Sequence, residues 1–361
     1  MRVTVLGAGA GGAAAVAELT QSGHDVSLWN RSAETLAPFE RAGGVEYAGV
    51  LGSGLARPRL MSADLGAAIQ NAQAVVCTLP TFLHGSVAHA LVDAALPPNV
   101  AVVLNPGHTG GALEFRRVFE QRGKAAPLVA EFSTLTYVAR KLEPQCVTVS
   151  GRAKQVRVAA LRGAEAALQA ACLLFRAASP VRDVIAVGLS NVNMVLHPPG
   201  AVLAAAWVEA KHGDFTFYVD AMTPGVARVM KALDDERRAV ARAYGHGLPN
   251  LIEEMQAIGT VEESVTDTSD FAQAIAGGEA NRRIKAPPSL AHRYYLEDFG
   301  HGLLPFIAFA EIAGVATPVA SSLFTLAEQL VGRTYREHGR TAEVMGIAGL
   351  NREGLLELVR G

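Results

Sequence analysis

Gly7, Gly9 and Gly12, within Gly7-Ala8-Gly9-Ala10-Gly11-Gly12, stand at the spacing at which a chain can fold around a diphosphate. The first glycine permits a tight turn, the second lets the backbone approach the phosphates, and the third lets a following helix pack closely. Phosphate oxygens would then meet the N–H groups at the start of that helix, where the helix dipole also favours negative charge. Glycine is abundant here, 36 of 361 residues, so the pattern draws its weight from its surroundings. Residues 3–6 read as a buried strand, 10–22 as a helix of small residues ended by Gly23, and 26–29 as a second strand. In that βαβ setting the glycines bind a dinucleotide; without it they would only pack a strand against a helix.

At the end of the second strand NAD-preferring proteins usually carry an acid that takes the adenosine ribose. This chain reads Trp29-Asn30-Arg31-Ser32 instead. Asn30, Arg31 and Ser32 can hydrogen-bond and neutralise a 2′-phosphate, which favours NADP(H) over NAD(H). Arg31 stacked on the adenine, blind to the phosphate, is the alternative.

The elements that must hold these groups continue in the same alternation. Apolar runs at 74–78, 100–104 and 128–132 are separated by helical patterns at 82–95 and 111–122. Strand-like stretches at 146–150 and 156–160 and a helix at 163–176 follow. The expectation is an α/β chain: an N-terminal Rossmann domain with a doubly wound parallel sheet over residues 1–182, then a mostly α-helical domain over 183–361. Within the latter, the polar stretch 260–270 reads as a loop or a poorly packed helix start.

Composition narrows the partners. The chain is 50% hydrophobic and 18% charged, enough apolar material for two cores. Its formal net charge is −2, with 32 basic against 34 acidic residues, which gives no attraction to nucleic acid or to an anionic membrane. Small molecules are the expected partners. Cys77, Cys146 and Cys172 are odd in number and far apart, which suits a reducing cytoplasm and makes no metal-ligand pattern. The small apolar run from Met1 to Ala17 has the look of a secretory leader, but the glycine spacing accounts for the same residues. The apolar stretch 184–208 is interrupted by Asn191, Asn193, His197, Pro198 and Pro199, which would be costly in hydrocarbon.

That stretch contains Ser190-Asn191-Val192-Asn193-Met194-Val195-Leu196-His197-Pro198-Pro199-Gly200, and a later one reads Lys285-Ala286-Pro287, then His292-Arg293-Tyr294-Tyr295-Leu296-Glu297-Asp298. The first resembles the Asn-x-Asn-x-x-x-His-Pro-Pro signature of the opine dehydrogenase family, the octopine and nopaline dehydrogenase group. The second is similar to that family's Arg-Tyr-x-x-Glu-Asp segment. Leu104-Asn105-Pro106-Gly107 with Gly110-Gly111, Phe132-Ser133-Thr134-Leu135, and the run from Phe217 to Pro224 extend the likeness over nearly the whole chain. Phe299-Gly300-His301 and Thr134-Leu135-Thr136 depart from the family's Pro-containing versions, which touches amino-acid specificity more than the reaction.

The resemblance implies reductive condensation of a 2-oxo acid, pyruvate or 2-oxoglutarate, with an L-amino acid to give an N-(1-carboxyalkyl) amino acid. It makes His197 and Asp298 the proton-transfer pair and Arg293 a substrate-holding residue. The chemistry agrees: an imidazole titrates near neutrality, and a carboxylate orients it and favours its protonated form. A guanidinium can take a carboxylate with two hydrogen bonds. Asn191 and Asn193 are each open to hydrogen-bonding substrate or nicotinamide, or equally to capping the local helix; Tyr218 and Asp220 read as core packing more than as site lining. A simple surface ion pair is the bland alternative for Arg293 and Asp298.

Two other readings compete. A ketopantoate reductase-like or β-hydroxyacid dehydrogenase would use a lysine donor, and Lys211, Lys231 and Lys285 lie in no recognisable donor motif. A non-catalytic NAD(P)-sensing protein would have no need of the intact His, Arg and Asp. The apolar segment 303–310 could pack as a homodimer.

Overall fold

The β-branched run Arg-Val-Thr-Val-Leu opens the chain as a strand whose last four residues are buried, and the alternation of strand and helix proceeds from there. The computed structural model describes residues 1–279 and 281–360. Strands β1 (Arg2–Leu6), β2 (Asp25–Trp29), β3 (Val45–Gly49), β4 (Gly54–Ala56), β5 (Leu60–Ser62) and β6 (Ala74–Cys77) come first. They are followed by β7 (Ala101–Leu104), β8 (Leu128–Phe132), β9 (Tyr137–Glu143), β10 (Cys146–Arg152), β11 (Val156–Ala160) and β12 (Ala178–Pro180).

Eight of these form one sheet in the order β12-β11-β8-β7-β6-β1-β2-β5. The order steps away from β1 in both directions, the doubly wound pattern, and puts the end of β1 at the switch point where ligands bind such sheets. The sheet is parallel except that β11 runs antiparallel to β8. A second sheet, β4-β3-β10-β9, was not expected from the sequence; the strand read at 146–150 belongs to it. Helix Ala10–Gln21 packs against strands of both sheets, which is why its run Ala13 to Ala17 has no solvent exposure at all. Its Glu18 accepts from the Tyr137 hydroxyl at 2.7 Å and from Arg152 at 2.8 Å, fastening the second sheet to the helix.

Contacts divide the chain into two units. Met1–Gly107, Gly111–Val184 and Arg360 make the first; His108–Gly110 and Ile185–Val359 make the second, an arrangement that no single cut in the sequence expresses. The second unit is helical. Its longest helix, Pro224–Ala243, starts with Thr223 as cap and Pro224 in the first turn, where proline lacks only an N–H that would be unpaired anyway. Within it Arg237 is bound to Asp234 at 2.8 Å and donates to the carbonyls of Leu189 and Pro249, so a buried charge is fully engaged. The stretch expected as a loop is one, ended where Asp270 caps helix Phe271–Gly277.

One expectation is corrected. The sequence offers segment 303–310 as a surface for a homodimer, but its Leu303, Phe306 and Phe309 have no exposure and the rest is buried. Its apolar side chains are already used by the chain's own core. Among the described residues no helix is long and apolar enough to cross a membrane.

Candidate active site

Helix Val192–Leu203 carries His197. Asn191 caps it, its side-chain oxygen accepting from the N–H groups of Asn193 (3.1 Å) and Met194 (3.3 Å), so the capping role is the one Asn191 fills. Pro198 and Pro199 lie inside the helix and deprive Met194 and Val195 of their usual N–H partners, a cost met by burying all but two of its residues. A Cβ on Gly200 would stand 2.7 Å from Met222 Cε and 3.0 Å from Phe217 Cζ. Glycine there lets the Phe217–Met222 segment, with Tyr218, press against the helix.

Asp298 comes from a π-helix, Tyr294–Leu303, whose wider turns follow from i→i+5 hydrogen bonding; such helices recur at functional sites. Its Tyr295 hydroxyl donates to the Ala201 carbonyl at 2.9 Å, tying it to the His197 helix. The His197 Nδ1 to Asp298 Oδ2 distance is 2.7 Å, with both side chains 5% exposed. Burial raises the Asp298 carboxyl above its ordinary range, and the neighbouring His197 opposes that shift.

The other ring nitrogen, Nε2, is 2.8 Å from the Tyr218 hydroxyl, which is 3.3 Å from the Tyr294 hydroxyl. The Tyr294 ring stacks on His197 with centroids 3.9 Å apart. Burial lifts the Tyr218 phenol well above its usual range. His108, buried in the short segment belonging to this unit, leaves Nδ1 without a hydrogen-bond partner; burial pushes its imidazole down to about 4 against the pull of Glu297. That segment is held by Arg340, which donates to the Thr109 carbonyl at 2.9 Å, and by Asn191, which donates to the Thr109 hydroxyl at 3.2 Å.

Of the residues expected from the sequence, His197 and Asp298 meet. Arg293 does not reach Asp298: it is 3.5 Å from Glu297 and 60% exposed. Asn193 is half-buried one turn before His197, and its side-chain amide makes no hydrogen bond among the described residues. The lysines are peripheral: Lys285 pairs with exposed Asp214, Lys231 with Asp235, and Lys211 is exposed. Sequence reading missed His108 and Glu297 as neighbours of the site and assigned Tyr218 to the core. Tyr294 lies in the Arg-Tyr-x-x-Glu-Asp match, which assigns it no role. Only its place one residue after Arg293 could have drawn attention to it.

In the first unit, Gly7 has φ +104°, and a Cβ on Gly12 would collide with the Gly7 carbonyl. Around Gly9 a Cβ would meet nothing within 4 Å, and helix Ala10–Gln21 has no side-chain cap. Open space at Gly9 beside a helix start without a side-chain cap fits a pyrophosphate. Asn30 Oδ1 accepts from the Ala8 N–H at 3.1 Å and so braces this turn, while Ser32 caps helix Ala33–Ala42. Arg31 is exposed beside them. Lys141 from β9 reaches the Ala8 carbonyl at 3.3 Å and brings a cation to the same turn.

The glycine turn on a doubly wound sheet, with a helical unit that buries a His–Asp pair, defines a nicotinamide-dependent dehydrogenase. Residues 180–331 match the family model of the NAD/NADP octopine/nopaline dehydrogenase alpha-helical domain, and residues 2–119 that of the NAD-dependent glycerol-3-phosphate dehydrogenase N-terminus. An opine dehydrogenase of Arthrobacter sp. (strain 1C) is 31% identical over 98% of this chain and 98% of its own. Octopine dehydrogenase of Mizuhopecten yessoensis is 24% identical over 78% of this chain and 76% of its own. A solved structure of octopine dehydrogenase with NADH and L-arginine matches the fold with a TM-score of 0.79 at 21% identity, covering 99% of this chain and 98% of that one. The chain belongs to the opine dehydrogenase family, the octopine/nopaline dehydrogenase group, and is an NAD(P)-dependent oxidoreductase.

Proposed function

We propose that the protein condenses pyruvate or 2-oxoglutarate with the amine of an L-amino acid, preferring NADPH to NADH, with His197 as proton carrier and Asp298 as its partner. The observation that carries this reading is the buried 2.7 Å contact between His197 Nδ1 and Asp298 Oδ2. An ionised Asp298 holds the proton on Nδ1 and stabilises the imidazolium, leaving Nε2 for proton transfer. Loss of the oxo oxygen as water needs one proton, which His197 supplies. When bound, the nicotinamide supplies the hydride to the former carbonyl carbon.

Arg293 takes a substrate carboxylate. Its mostly exposed guanidinium and its long contact to Glu297 support this, since a bidentate substrate carboxylate is a better partner. Asn193, on the same face of the helix as His197 and with its amide uncommitted, hydrogen-bonds substrate. Gly7, Gly9 and Gly12 hold the pyrophosphate, Asn30 and Ser32 shape the pocket edge, and Arg31 meets the 2′-phosphate. The unpaired state of Cys77, Cys146 and Cys172 supports a cytoplasmic setting.

Replacing His197 by Gln tests the reading. Condensation should fall by about 10²- to 10⁴-fold while NADPH binding, followed by nicotinamide fluorescence, is retained. Retained turnover would remove His197 from the reaction.

A further inference from the structure

His197, Asp298 and Tyr218 are each buried, at 4–5% exposure, whereas Tyr294 is half-buried. Nε2 of His197, the nitrogen that must exchange the reaction's proton, therefore faces a hydroxyl and not an open space. From this geometry we infer that Tyr218 relays the proton between His197 Nε2 and the Tyr294 hydroxyl, so that a Tyr294–Tyr218–His197–Asp298 chain serves the reaction. The inference rests on His197 being the proton carrier.

The three contacts are continuous: 2.7 Å from Asp298 to Nδ1, 2.8 Å from Nε2 to Tyr218 Oη, and 3.3 Å from there to Tyr294 Oη. A hydroxyl both donates and accepts, so the same heavy atoms serve both protonation states of the ring. With His197 protonated, Nε2–H donates to Tyr218, and Tyr218 donates to Tyr294. With His197 neutral, both bonds reverse.

In the condensation direction the Nε2–H bond breaks as a new O–H bond forms on Tyr218. Tyr218's own proton passes to Tyr294, and Tyr294's proton passes to the departing oxygen of the condensing substrates. One proton leaves the imidazolium, one arrives on the oxygen that departs as water, and both tyrosines end as they began. Because burial holds the Tyr218 phenol protonated far above neutrality, it carries a proton to pass throughout the working pH range.

Packing supports the assignment. Tyr294 stacks on the imidazole with an interplanar angle of 19°, and Phe217 meets the ring edge-on at 6.1 Å, so the imidazole is confined with Nε2 aimed at Tyr218. A tyrosine serving only the core would need a hydrogen-bond partner, but not one whose other nitrogen is held by a buried carboxylate. Tyr218 is a positioning residue, since it acts through its neighbours and not on substrate.

The test compares Tyr218→Phe, Tyr294→Phe and His197→Gln in the full-length protein, with thermal melts to establish folding. The charged and titratable groups that face the chain are Asp298, Glu297, Arg293 and Tyr294 on or beside the π-helix, His292 just before it, and His108 from the inserted segment. Tyr218→Phe should lower kcat about 10- to 100-fold, leave both substrate KM values within about twofold, and change the acid limb of the kcat profile together with the solvent deuterium isotope effect. Tyr294→Phe, at a more accessible position, should show the same signature and stands in for Tyr218→Phe if that variant does not fold. A kcat, pH profile and isotope effect within about twofold of the parent in either folded variant, with His197→Gln inactive, overturns the relay and leaves His197 in place. Activity surviving in His197→Gln overturns both.

Discussion

His197 Nδ1 and Asp298 Oδ2 lie 2.7 Å apart although 101 residues separate them in the chain, and each side chain is 5% exposed. A capped helix and a π-helix meet so that an imidazole has a carboxylate at one ring nitrogen and a tyrosine hydroxyl at the other. Burial alone would neutralise the carboxylate; the imidazole beside it works against that.

Asp298→Asn should separate stability from activity. A carboxyl whose folded pKa is raised contributes stability that is full below its ordinary value of 3.8 and is lost as pH rises through the folded value. At neutral pH the ionised group is therefore a burden on the fold, and the amide can still accept from Nδ1–H. The variant should melt at or above the parent's temperature at pH 7, while kcat drops by about 10²- to 10⁴-fold. A large fall in melting temperature would show that the pair serves the fold.

His108 gives the opposite sign. Burial lowers its pKa from 6.5 to about 4, so the stability it contributes is full above 6.5 and is lost as pH falls toward 4. His301, lowered to about 3, extends the loss further down. A melting series from pH 7 to 4 should slope downward, and His108→Asn should flatten that slope.

Gly9 and Gly12 should respond differently to alanine. At Gly12 the new Cβ meets the Gly7 carbonyl, a backbone atom that cannot move aside, so Gly12→Ala should lose about 1–3 kcal/mol of stability as well as cofactor binding. Gly9→Ala finds open space within the protein and should melt normally, yet bind NADPH at least about tenfold more weakly because the methyl stands where phosphate approaches. Fluorescence titration and melting of both variants check this.

Arg31→Ala should weaken NADPH by about tenfold and leave NADH within about twofold, as expected for loss of a charge-assisted contact to one phosphate. Equal weakening of both would assign Arg31 to the adenine.

Much of this was legible because it is local. The strand–glycine–helix opening and the apolar runs of β6, β7 and β8 declare themselves within a few residues. The second sheet does not, since β3 and β4 are short and partly exposed, and β3 pairs with β10 from about a hundred residues away. Nor does the π-helix, whose i→i+5 bonds leave no periodic signature in Tyr294 to Leu303. The bland alternative, a surface pair between Arg293 and Asp298, does not form: Arg293 lies beside Glu297, and Asp298 is buried against His197. Tyr218 and His108 reach the site only through tertiary packing, one through the space left by Gly200 and the other through the Arg340 clamp.

The most direct test follows absorbance at the reduced-nicotinamide band with NADPH or NADH, for pyruvate and 2-oxoglutarate, each with and without a panel of L-amino acids. Oxidation that requires both an oxo acid and an amino acid, and runs faster with NADPH, is the predicted result. Oxidation by the oxo acid alone would contradict it and make the enzyme a 2-hydroxy-acid dehydrogenase.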